Sequence, residues 1–158
     1  MNKGELDNIF KEAFAFLFSD HGCSIISSKK ESWGYKLVAA NSTTGIEIIY
    51  EFREAYIVVV VFRLIDGKIV NNIDRAVKSN EPMAGFGLEW IVNLKNPELK
   101  IKSAYDYEIN IIDYASMVAD RLKEYASDIL NGDFSMFSTL DTMVKESYKD
   151  YYKKKNSQ

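Results

Sequence analysis

The stretch TGIEIIYEFREAYIVVVVFRL, Thr44 to Leu64, decides the fold. It reads as two β-strands joined by the charged corner Arg53-Glu54. In the first, Ile46, Ile48, Tyr50 and Phe52 alternate with Glu47, Ile49, Glu51 and Arg53, so one face is apolar and the other mostly charged. In the second, Tyr56 to Phe62 is an almost unbroken apolar, β-branched run, the pattern of a strand shielded on both faces. A two-sided strand beside a one-sided strand requires helices over one face and some cover over part of the other. Tyr56 to Leu64 is therefore expected in the interior of a sheet.

Upstream, Leu6, Ile9, Phe10, Ala13, Phe14 and Leu17 recur at helical spacing, with Lys3, Asp7, Lys11 and Glu12 on the other side. This predicts an amphipathic helix over about residues 4–19, ended by Asp20-His21-Gly22. Cys23 to Ser28 and Trp33 to Ala40 read as two strands separated by a polar turn. With the two strands of the opening they form an antiparallel meander. Downstream, Asp66-Gly67 is a turn signal. Residues 68–80 are weakly patterned, with a short strand or a single helical turn both open, and EPMAGFG, Glu81 to Gly87, reads as a loop. Phe86, Trp90, Ile91 and Leu94 favour a short helix ended by Asn96-Pro97. From Glu108 to Leu130 one apolar face runs without interruption, which predicts a long helix stopped by Asn131-Gly132. Asp133 is placed to cap a last helix that carries Phe134, Phe137, Leu140 and Val144. The expected fold is α+β: an N-terminal helix, a four- to five-stranded antiparallel meander, and two C-terminal helices packed mainly on one face.

A chain of 158 residues with 47% hydrophobic side chains is the size of one domain with a substantial core. Two prolines and eight glycines leave no linker, so residues 1–158 are expected to form a single unit ending in a basic tail from about residue 149. The one cysteine cannot form an internal disulfide, and the N-terminus lacks the pattern of a secretory signal. No apolar run approaches the about 18 residues of a membrane span. A cytoplasmic protein without membrane contact is expected. The net charge of −3 hides an asymmetry: from Lys145 onward five lysines face Glu146 and Asp150, a local +3, which leaves −6 for residues 1–144. An acidic body argues against nucleic acid as a partner, because phosphate neutralisation needs clustered Lys and Arg. The lysines near the terminus suit a helix C-terminus.

Sites of chemistry are scarce. His21, the one histidine, sits in a helix-ending turn, and one His with one Cys cannot furnish a structural zinc site, so no metal and no cofactor is expected. Gly85-Phe86-Gly87 lacks the third glycine of a dinucleotide fingerprint and the Gly-Lys-Ser/Thr of a P-loop. Cys23 reads as a small buried hydrophobe. Glu47 and Glu51, four residues apart on one strand, share a face, with Glu54 at the corner. Paired acids suit glycoside hydrolysis or a divalent cation. Charged residues on an open sheet face are also ordinary, and they discourage edge pairing. A protein-binding acidic patch stands ahead of catalysis among the functional readings of these three residues.

GIEIIYEFREAYIVVVVFRL and LKEYASDILNGDFSMFSTL resemble small bacterial immunity-type proteins, including neighbours of toxins in contact-dependent growth inhibition systems. The shared features are the charged-corner hairpin before a Val-rich strand ending in Arg-Leu, and the helix–GDFS–aromatic–Leu junction. The resemblance implies a non-enzymatic protein whose partner is a cognate toxin domain, such as a nuclease, which it neutralises by occlusion. It assigns structural roles to Gly132 and Asp133 between the last two helices and to Phe134 and Phe137 as anchors of the junction. Alternatives are an acidic binding module such as a secretion-effector chaperone, or an enzyme using Glu47 and Glu51. Monomer and dimer are both compatible with the sequence.

Overall fold

The computed structural model describes residues 1–157; of the basic tail, Gln158 lies outside them. The elements run α1 (Lys3–Ala13), α2 (Phe16–Ser19), β1 (Ser24–Lys30), β2 (Gly34–Ala40), β3 (Thr44–Glu51) and β4 (Tyr56–Arg63). They continue with α3 (Ile73–Ala76), β5 (Gly85–Gly87), α4 (Leu88–Lys95), α5 (Ala104–Tyr107), α6 (Ile111–Leu130) and α7 (Phe137–Asn156). The strands form one antiparallel sheet in the order β1-β2-β3-β4-β5, the expected meander with β4 inside it.

The pleat sorts the side chains. Tyr35, Leu37 and Ala39 of β2 share one face with Ile46 and Ile48 of β3, Ile57, Val59 and Val61 of β4, and Phe86 of β5. All are buried, and α1, α4 and α6 pack over them. Phe10 of α1 stacks on Tyr35 at 5.1 Å, and the Tyr35 hydroxyl donates to Asp7 at 2.5 Å. Each large apolar side chain sealed in this way contributes roughly 1.5–3 kcal/mol, which makes this layer the main source of stability. Tyr114 of α6 ties the helices to the sheet: its hydroxyl accepts the Ile57 N–H at 3.3 Å and donates to the Lys102 carbonyl at 2.7 Å. It thereby closes the edge of β4 that the three-residue β5 leaves bare.

Several boundaries differ from expectation for identifiable reasons. The first helix breaks after Ala13; Phe14 ends α1 and Leu17 N–H bonds to the Phe14 carbonyl, so Phe14 and Leu17 both reach the core. The apolar face from Glu108 is interrupted as well. Glu108 takes a left-handed φ of 54°, ending α5, and α6 starts afresh where the Asn110 side chain accepts the Asp113 N–H at 2.9 Å. The 81–87 segment, expected as a loop, contributes β5, and the weakly patterned 68–80 region holds α3, a single turn. β1 runs on to Lys30. β4 is sealed throughout on its core face, whereas on the other face Phe62 is buried and Val58 and Val60 are only half-buried.

Candidate functional site

The second face of the sheet is built from alternating positions that the core cannot use. Register aligns Lys36, Ile49 and Val58 in one row, and Val38, Glu47, Val60 and Gly87 in the next. Among the described residues, Val38, Ile49, Val58 and Val60 are only half-buried on this face. Near one end the face is closed. Leu64 and Ile69 fold onto Gly45, where a Cβ would stand 2.3 Å from Ile69 Cγ1. Asp66 and Gly67, with φ of 52° and 75°, turn this lobe back in a two-residue hairpin, as the Asp-Gly signal requires. What stays open is a β-branched patch on β2, β3 and β4.

Glu47 lies in the middle of this patch and is only 8% exposed. Its carboxylate is 3.3 Å from Lys36 Nζ on the neighbouring strand, so the charge is compensated where it is most desolvated. Glu51, on the same face at the corner, accepts the backbone N–H groups of Arg53 at 3.2 Å and Glu54 at 2.7 Å. Its carboxylate therefore shapes the turn between β3 and β4. Glu54 is exposed beside Arg53, at 3.6 Å. The three acids thus do three different jobs: a compensated charge, a turn cap and a surface group. Tyr56 and Glu89 add a polar rim, with the tyrosine hydroxyl 3.4 Å from the Glu89 carboxylate. Burial, and then the Glu89 charge, push the Tyr56 phenol up to about 12, so it remains a neutral donor.

The junction residues gather elsewhere. Gly132, at φ 89°, and Asp133 close α6 through N–H bonds to the Ile129 and Asp128 carbonyls, the double closure of a Schellman motif. The Asp133 side chain accepts the Ser135 N–H at 3.0 Å, an interaction that holds its carboxyl below the usual range. It caps the turn before α7 rather than α7 itself, whose N-cap position is Met136. Phe137 meets Phe86 edge-on at 4.8 Å and Phe134 at 5.1 Å, anchoring α7 on β5.

His21 Nδ1 lies 3.0 Å from Asn131 Oδ1, and burial raises the Cys23 thiol above its ordinary pKa. Among the described residues no three His, Cys, Asp or Glu side chains gather as a metal site needs. No described helix is long and apolar enough to cross a membrane. Sequence reasoning missed Lys36 as the partner of Glu47, and Glu89 on the rim. Lys36 could have been found, since it is two residues from Val38, which the meander sets opposite Glu47, and so shares its face. Glu89 carried no local signal, being 33 residues from Tyr56. No protein-family model, no curated protein and no solved structure matches this chain.

Proposed function

We propose that this chain is an immunity-type protein that neutralises a cognate bacterial toxin domain by binding over its active cleft. The observation that carries the reading is the open sheet face: an uncovered β-branched centre with its one embedded charge already paired, bordered by Tyr56, Glu51, Glu54 and Glu89. An apolar centre within a polar rim is the anatomy of a protein interface. The occupant is a protein with a basic cleft, such as a nuclease domain. Residues 1–144 carry −6, and an acidic surface matches the charge that phosphate meets in such a cleft. The chain contributes shape and charge, and no reaction of its own. An effector chaperone would use the same face for an exposed apolar segment of its client.

The test pairs this protein with any candidate toxin domain encoded beside its gene. Val58→Asp with Val60→Asp should abolish protection in co-expression and weaken binding by more than about tenfold, as central interface positions do, while far-UV circular dichroism is unchanged. Charge is probed at Glu54 and Glu89, because Glu47 and Glu51 are tied into the sheet and the corner. Glu54→Lys with Glu89→Lys should slow association at low salt, in stopped-flow mixing, and leave it unaltered at high salt. Full protection by the Val58/Val60 variant would sink the assignment of this face. A toxin that never binds the native chain would sink the function itself.

A further inference from the structure

At the far end of β4 from the Glu51–Glu54 corner, the chain leaves a cleft of about 750 Å³. Its floor is apolar: Leu64, Met83, Ala84, Phe134 and Phe137. The floor is held rigidly from behind. Buried Asn72 takes the Ala84 N–H at 2.9 Å and donates to the Pro82 carbonyl at 2.9 Å, while Asp141 accepts the Met83 N–H at 2.9 Å. Phe137 is fixed against Phe86.

The mouth carries one cation, Arg63, the last residue of β4. Its guanidinium lies over the Phe134 ring at 5.7 Å. Among the described residues it has no carboxylate within ion-pair reach and no hydrogen-bond acceptor, so its planar donor fork is free. The acid beside it, Asp141, is occupied by the Met83 N–H and by Lys145 at 3.1 Å. Asp66 stands on the exposed hairpin turn. One free cation with two acids nearby suits a single negative charge and disfavours a doubly charged phosphate.

The geometry points to this cleft as a binding site for a small amphipathic carboxylate, an aryl or branched-alkyl acid. Its apolar body lies on Phe134, Phe137 and Met83, and its carboxylate meets the Arg63 fork, which matches two oxygens at once. The volume is that of a small-molecule site, and an apolar floor with one placed polar group is the usual composition of such a site. This site is independent of the toxin-binding face, and its test needs no toxin.

The probe is 3-phenylpropionate, titrated into the isotope-labelled full chain and followed by NMR, with 3-phenylpropionamide as its neutral counterpart. The expected dissociation constant is on the order of millimolar, in keeping with a ligand of this size. Shifts should centre on the Met83 methyl and the Phe134 and Phe137 rings. The amide should bind about fivefold more weakly, and Arg63→Gln should cost the acid the same factor, as a partly exposed charge pair would. Thr142→Trp, at the exposed rim, should fill the mouth and remove binding with the melting curve unchanged. Equal binding of acid and amide, an Arg63→Gln variant that binds as tightly as the native chain, or shifts centred elsewhere would each overturn the assignment.

Discussion

Gly132 ends α6 at φ 89°, a conformation that costs a side-chain-bearing residue on the order of 1 kcal/mol. A Cβ there would also stand 3.1 Å from Thr43 Oγ1. Gly132→Ala should therefore lower stability by about 1 kcal/mol or more in urea melts. Glu108 presents the reverse case: exposed, left-handed at 54°, and not glycine. Glu108→Gly should raise stability by about 0.5–1 kcal/mol in the same measurement. A loss on that substitution would mean that the Glu108 side chain supplies an interaction outweighing the strain. Other residues have effects that chain order conceals. Asn41 donates to the His21 and Leu130 carbonyls and accepts the Thr43 and Thr44 N–H groups, so a loop asparagine ties the β2–β3 turn to the end of α6. Nothing in the neighbourhood of Asn41 along the chain announces a partner 89 positions away.

At the scale of elements, β3 is the instructive one, because Ile48 and Ile49 have the same side chain and opposite surroundings. Ile48 is sealed under the helices, and Ile49 is half-buried on the open face. Ile48→Ala should cost about 2–5 kcal/mol, the range for a buried large-to-small change. Ile49→Ala should cost about 1 kcal/mol or less, in proportion to the area it shields. Equal losses in denaturant titrations would mean that the second face is covered in solution. β1 shows how a free edge is managed: a bulge between Ile25 and Ser27 and the pair Lys29-Lys30 spoil the template for a further strand.

For the molecule as a whole, carboxylates set the acid limit of stability. Burial of Asp7 opposes its charge, but hydrogen bonds from Lys3, Tyr35 and Ser28 outweigh it and hold the carboxyl below its ordinary pKa. Glu81, gripped by Arg75 at 2.6 and 2.7 Å and by Asn72, is pulled down to about 2. A carboxylate whose folded pKa is depressed lends stability above its unfolded pKa, and that stability is lost as pH falls through the folded value. Stability should thus be level at neutral pH and decline below about pH 4. Asp7→Asn should be less stable at pH 7 and show a shallower decline toward pH 2 in thermal melts. An acid limb as steep as that of the native chain would remove Asp7 from the account.

β5 lay in a segment that reads as a loop, but the sequence by itself determined strands β1 to β4, their meander order, the interior character of β4 and the helix stop at Gly132. Each follows from a local signal: period-two alternation, a short polar connection, or a residue suited to positive φ. Sequence also named Glu47 and Glu51 as neighbours on one face, which the pleat guarantees. Only the tertiary structure decided what those acids do, because Lys36 arrives from another strand and the corner folds back on Glu51. It alone decided that Val58 and Val60 stay half-open, since an unbroken apolar run says that both faces avoid water without saying what covers each. The cleft at Arg63 is wholly tertiary. Its walls come from the end of β4, the 82–84 segment and the start of α7, and no local pattern fixes the distance between residues that far apart along the chain.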